Sequence, residues 1–145
     1  MNKKITTSTI PVVVIAGIFV GISFVDSPSE KDNIVFHITL ADPELYVNGI
    51  YSSTFTINDG DYYFRFVPNG SSPETLSITV SGNSFEFSED LELKNKLHQT
   101  GISEYYTWSY DGMESFMVPE SGEVKITINP NGSEMGSVSV DILED

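Results

Sequence analysis

From Asn33 onward apolar and polar residues alternate one by one, the signature of strands with a single buried face rather than of amphipathic helices. In EVKITIN, Glu123 to Asn129, the side chains of Val124, Ile126 and Ile128 fall on one face and those of Lys125 and Thr127 on the other. GSVSVDIL, from Gly136, repeats the pattern and predicts Val138, Val140 and Ile142 inside, with Ser137, Ser139 and Asp141 outside. Runs of the same kind begin at Ile34 (IVFHITL), Ser53 (STFTIN), Asp61 (DYYFRFV), Thr75 (TLSITV), Ser84 (SFEF), Tyr105 (YYTWSY) and Ser115 (SFMV). Between them stand Asn48-Gly49, Asp59-Gly60, Ser81-Gly82-Asn83, Asp111-Gly112 and Ser121-Gly122, residues that tolerate the positive φ of tight turns. Short strands at this spacing predict an all-β fold, an antiparallel β-sandwich of jelly-roll or immunoglobulin-like type. EDLELKNKLHQ, Glu89 to Gln99, is ambiguous, because Leu91, Leu93 and Leu97 fit either a crossing strand or a single helical turn.

The tetrapeptide Pro-Asn-Gly-Ser occurs twice, at 68–71 and 130–133, each time after a strand-like run. In the second copy Pro130 presets φ for the second residue of a turn, Asn131 takes the bridge region and Gly132 the left-handed position that closes a hairpin with a bulge. Ser71, Ser72 and Pro73 lengthen the loop of the first copy. Aligning FRFVPNGS with ITINPNGS predicts two similar hairpins, through independent use of a good turn rather than internal duplication. Both copies satisfy Asn-x-Ser, so Asn69 and Asn131 are candidate N-glycan acceptors in an exported chain.

Before the alternating region the pattern changes. Lys3 and Lys4 precede an uncharged stretch from Ile5 to Val25. As one helix that stretch rises about 31 Å, enough for a hydrocarbon core of about 30 Å. Pro11 is comfortable only in a first helical turn, leaving Val12 to Val25, a length that also suits a signal-peptide core. Both alternatives send the body out of the cytoplasm. Gly21-Ile22-Ser23 is a fair cleavage site, but retention as an anchor is the favoured expectation, with the lysines holding the N-terminus inside and the C-terminus outside. Predicted organisation is a short cytoplasmic segment at 1–9, a transmembrane helix or uncleaved signal anchor at 10–25, a linker at 26–33 and an extracytoplasmic β-sandwich at 34–145. Gly17 and Gly21 form a GxxxG pair, the candidate face for a homodimer through the anchor.

Charge narrows the partners. Acidic residues number 21 against 7 basic ones, so the body repels phosphate backbones and nucleic acid is not an expected partner. There is no cysteine, which excludes disulfides, thiolate nucleophiles and Cys-ligated zinc.

Catalytic signatures are missing: the sequence holds no GxSxG, no HExxH and no glycine-rich phosphate loop, and neither an enzyme nor a cofactor is expected. His37 and His98 are the only histidines; with Met113 or Met117 they are the sole material for a copper site, and no metal is assigned. Asp59 and Asp61, with Asp90 in the cluster Glu89, Asp90 and Glu92, are oxygen donors of the kind calcium takes, though they lack EF-hand spacing. In EYYTWSYDG the aromatic rings of Tyr106, Trp108 and Tyr110 share one strand face. Such a stripe is either core or a platform for sugar or protein.

FHITLADPELYVNG, GDYYFRFVPNGSSPETLSITVSG and GISEYYTWSYDG, behind a single N-terminal anchor, resemble a group of short exported proteins of ammonia-oxidising archaea that have no assigned activity. SGEVKITINPNG is similar to jelly-roll modules appended to secreted peptidases. The first resemblance implies an archaeal surface protein, in keeping with the acidic body and the sequons, and carries no catalytic residues to transfer. The expected function is a membrane-anchored binding, accessory or structural module at the cell envelope, with a protein partner. A cleaved, secreted carbohydrate- or calcium-binding module is the alternative.

Overall fold

The computed structural model describes residues 33–145. The predicted anchor, with Gly17, Gly21 and the cleavage site at Ser23, lies outside the described residues. The strands are β1 (Ile34–Leu40), β2 (Tyr51–Ile57), β3 (Gly60–Pro68), β4 (Thr75–Ser81), β5 (Glu86–Gln99), β6 (Glu104–Asp111), β7 (Ser115–Val118), β8 (Gly122–Asn129) and β9 (Val138–Glu144). They form a four-stranded sheet in the order β1-β9-β3-β7 and a five-stranded sheet in the order β2-β8-β4-β5-β6. All neighbouring strands are antiparallel, so the described residues form the all-β sandwich that their alternation predicts. Only β4, β5 and β6 follow one another within a sheet; the other connections change sheets.

The core lies between the two inner faces. Leu40, Tyr62, Phe64, Phe116, Val140 and Ile142 come from one sheet, and Leu76, Ile78, Val80, Val124, Ile126 and Ile128 from the other, all buried. Phe64 sits at the centre, its ring 5.2 Å from Phe116 and 5.8 Å from Phe87. Each such aliphatic or aromatic side chain contributes about 1.5–3 kcal/mol on burial, which makes this interleaving the main stabilising term.

Glu89 to Gln99 resolves as strand, not helical turn. It continues Glu86 and Phe87 into a strand of 14 residues, whose first half pairs with β4 and whose second half, from Glu92 on, pairs with β6. The ladder from β6 satisfies the backbone where β4 has ended, so no local helix is needed.

The paired hairpins expected at the two Pro-Asn-Gly-Ser copies do not form. β3 pairs with β9 and β4 with β8, so the strand after each tetrapeptide joins the opposite sheet. Both loops are therefore crossovers, and they run side by side at one end of the sandwich. Their turns also differ. Ser133 N–H donates to Pro130 O at 3.2 Å, with Asn131 at φ 53 and Gly132 at φ 92. Pro130 is thus the first residue of its turn rather than the second, and both central residues are left-handed. In the other copy Ser72 N–H donates to Asn69 O at 3.1 Å, and Gly70 keeps an ordinary φ. The same tetrapeptide thus forms two different turns, one starting at Asn69 and the other at Pro130.

The crossovers clasp each other. Ser72 Oγ, buried, donates to Ser137 O at 2.5 Å and accepts Asn69 N–H at 2.9 Å. Gly136 passes so close that a Cβ there would lie 2.5 Å from the Ser71 carbonyl oxygen and 3.1 Å from Pro73 Cδ. Glycine is required by contact and not by φ.

On the outer face of the four-stranded sheet the register aligns His37, Asp141 and Arg65 across β1, β9 and β3. His37 Nδ1 donates to Asp141 Oδ1 at 2.5 Å, and Arg65 donates to Oδ2 from Nε at 3.0 Å and from Nη2 at 2.9 Å. Asp141 was expected outside, and it does point outward, yet it is only 4% exposed. Two larger basic side chains flank it, and a carboxylate is tolerated at that depth because both oxygens are bonded.

Gly136→Ala should destabilise the domain by about 1–3 kcal/mol through overpacking against backbone. Gly122→Ala, where nothing lies within 4 Å of the added carbon, should stay within about 0.5 kcal/mol of wild type in the same urea denaturation series.

Candidate functional site

β5 and β6 run on together after β4 has ended at Thr75, forming an arm from Glu92 to Asp111. The opposite sheet covers only its root. There Phe66 meets the Tyr110 ring edge-on at 5.3 Å, and Tyr110 Oη donates to Pro73 O at 2.7 Å. Burial pushes the Tyr110 hydroxyl well above its ordinary pKa, so it remains a donor. Two residues along the strand Trp108 is half-buried, and two further Tyr106 is 56% exposed. The aromatic stripe is therefore core at one end and open surface at the other, which combines its two expected readings along a single strand. Leu97, paired with Tyr106, is 42% exposed, and Ile102 at the tip is 99% exposed.

Between the arm and the paired crossovers lies a cleft of about 670 Å³. Gly70, Ser72 and Glu74 supply the crossover side; Glu92, Asn95 and Trp108 supply the arm side. Gly70 packs on the indole, where a Cβ would sit 3.3 Å from the ring. Leu93 N–H donates to Glu74 O at 2.8 Å, tying the cleft's floor to the start of β4. At the rim Lys94 Nζ donates to Glu92 at 2.6 Å. That hydrogen bond, with the lysine's charge, holds the Glu92 carboxyl below the usual carboxylate range, and its reciprocal raises Lys94.

The outer face of the arm is different in kind. Lys94, Lys96 and His98 alternate along β5, with His98 stacked on Tyr105 at 4.8 Å and its Nε2 within 2.8 Å of Thr107 Oγ1. From Leu93 to Ser103 the arm carries no acidic residue, in a chain whose formal charge is −14.

The remaining sequence candidates are dispersed. Asp59 lies in the turn between β2 and β3, its carboxylate accepting Ser121 Oγ–H at 2.7 Å. Asp61 and Asp90 point from the outer faces of opposite sheets. His37 belongs to the Asp141 group and His98 to the arm, while Met117 is on β7 and Met113 in the loop before it. Among the described residues no three His, Asp or Glu side chains converge to hold a metal ion. Asn69 and Asn131 are both exposed on the crossovers. Sequence reasoning missed the cleft residues Gly70, Ser72, Glu74 and Asn95, and took Glu92 only as a member of an acidic cluster, because only the long-range register of β4, β5 and the crossovers brings them together.

The arrangement offers apolar area, rigid aromatic rings and hydrogen-bonding groups at a rim, which is the composition of a binding surface. Tyr110→Phe should cost about 1–3 kcal/mol, because it strands the buried Pro73 carbonyl, whereas Tyr106→Ala should change stability by less than about 0.5 kcal/mol. Urea denaturation of the full chain checks both.

No family model, no curated protein and no solved structure matches this chain.

Proposed function

We propose that this chain is a membrane-anchored, extracytoplasmic β-sandwich that works by binding, as an accessory or structural partner at the cell envelope, with the β5–β6 arm as its contact surface. One observation carries the proposal. Leu97, Ile102, Tyr105 and Tyr106 are 42%, 99%, 50% and 56% exposed on an arm that reaches past the opposite sheet. Exposed apolar and aromatic side chains on a projecting element, Leu97 and Tyr106 on one face and Tyr105, stacked on His98, on the other, are what a partner-binding surface requires. β6 is also an edge strand, with β5 on one side only, so its outer backbone groups are open to a strand from a partner.

The apolar leader at 10–25 and the short linker at 26–33 support a position close to the membrane, with the N-terminus inside. The resemblance to exported archaeal proteins supports a cell-surface setting. Strand order supports a jelly-roll-type plan in which β6 is an added edge strand, since the first and last strands are neighbours and the loop crossings alternate between sheets. The arm is then an elaboration of a common scaffold, the usual place for a recognition element.

A second reading, a released carbohydrate-binding module, is favoured by the cleft. Trp108 beside the polar groups of Glu74, Glu92 and Asn95 is the chemistry that sugars select.

A photo-crosslinker at position 106 in native membranes should capture a neighbouring protein, while one at Thr54, on the far edge strand, should not. A chain that leaves the membrane alone at low detergent, with no adduct from either position, overturns the accessory reading. An intact mass beginning at Met1 removes the released module.

A further inference from the structure

The two sequons have the same four residues and opposite hydrogen-bond environments, and we infer from this that Asn69 is the chain's N-glycan acceptor and that Asn131 is not. The inference rests on the extracytoplasmic reading of the domain, because transfer happens on the far side of the membrane.

At Asn69 the amide oxygen is occupied and the nitrogen is open. Oδ1 accepts Ser71 N–H at 2.8 Å and Ser71 Oγ–H at 2.6 Å. Two donors on one atom fix which end of the amide is oxygen, so Nδ2 points the other way. Among the described residues nothing accepts from that nitrogen, and the residue is exposed. The sequon's own serine thus polarises the carbonyl and draws electron density from Nδ2, which acidifies the N–H that must be lost.

At Asn131 the situation is reversed. Nδ2 donates to Thr75 O at 3.0 Å, and lies 3.2 Å from Ser77 Oγ and 3.3 Å from Asn129 O. Two carbonyl oxygens among the neighbours fix this end as nitrogen. The left-handed backbone of Asn131 and the bond from its N–H to Asn129 Oδ1 at 2.8 Å hold the side chain there, over the start of β4. The sequon serine, Ser133, makes no hydrogen bond to Asn131.

The chemistry separates the two. In transfer, Nδ2 attacks the anomeric carbon of a polyprenyl-phosphate-linked oligosaccharide. The carbon–nitrogen bond forms, the carbon–oxygen bond to phosphate breaks, the lipid phosphate leaves with the electron pair, and one amide proton passes to a base of the transferase. The product nitrogen keeps a single hydrogen. At Asn69 no protein contact is lost. At Asn131 one hydrogen now serves three acceptors, and the sugar must occupy the space between Nδ2 and β4. If transfer precedes folding, a glycan on Asn131 costs the folded loop the same bonds to Thr75 O and Ser77 Oγ.

The test uses the full chain in a host with an N-glycosylation pathway, with glycopeptide mapping and intact mass on wild type, Asn69→Gln and Asn131→Gln. Protease accessibility of the C-terminal portion on intact cells is measured alongside. Wild-type chain should carry its glycan at Asn69 alone; the mass increment should vanish in Asn69→Gln and persist in Asn131→Gln. Mapping of wild type needs no variant to fold. A glycan at Asn131, or at neither site on a protease-accessible chain, overturns the assignment while leaving the location intact. A protease-protected C-terminal portion overturns the location and the assignment with it.

Discussion

The clasp between the two crossovers is the constraint on which the remaining geometry depends. A sandwich buries its inner faces only if the chain changes sheets at the right points, and here two of those changes are pressed together at one end. Ser72 bridges Asn69 N–H and Ser137 O, and Gly136 allows the Ser71 carbonyl to come within contact distance. The clasp fixes where β3 stops and β4 starts, and so sets the point at which β5 loses its β4 neighbour. The arm, the cleft and the two sequon environments all lie within reach of that point.

Uneven strand lengths then create the arm. β4 has 7 residues and β5 has 14, and the surplus of β5 is matched only by β6. One alternation therefore serves two purposes along a single strand. Tyr110 anchors the arm through packing and a hydrogen bond in the core, and Tyr106, on the same face, has nothing opposite it. Rings held in place at the root lose little freedom if another surface comes to cover them.

Much of the fold was legible because alternation is a local signal. Val124, Ile126 and Ile128, like Val138, Val140 and Ile142, are buried as their spacing predicts. Sheet membership was not legible: turn chemistry at Pro-Asn-Gly-Ser specifies a reversal, but which sheet receives the next strand is decided by pairing with distant strands, Ser77 with Asn129 and Pro68 with Val138, and turn type cannot encode that. Glu89 to Gln99 was ambiguous for a related reason, since its leucines fit two periods and only the β6 ladder chooses between them. Asp141 followed the alternation and is buried nonetheless, because His37 and Arg65 on flanking strands come over it. In the site, the shared face of Tyr106, Trp108 and Tyr110 could be read from spacing, but their graded exposure could not, as it depends on where β3 ends.

Charge gives the arm a further distinction. An acidic domain repels other acidic surfaces over about a Debye length, roughly 8–10 Å at physiological ionic strength. Between Leu93 and Ser103 that repulsion is locally relieved, since the segment holds Lys94 and Lys96 and no carboxylate of its own, although Glu92 just before it is paired with Lys94. An acidic surface therefore meets a lower electrostatic barrier along this stretch of β5 than over the carboxylate-rich remainder of the domain. Electrostatics of this kind governs orientation and encounter more than final affinity. On the proposed reading the basic face of the arm bears on approach, and the opposite face, with Leu97 paired to Tyr106, bears on contact.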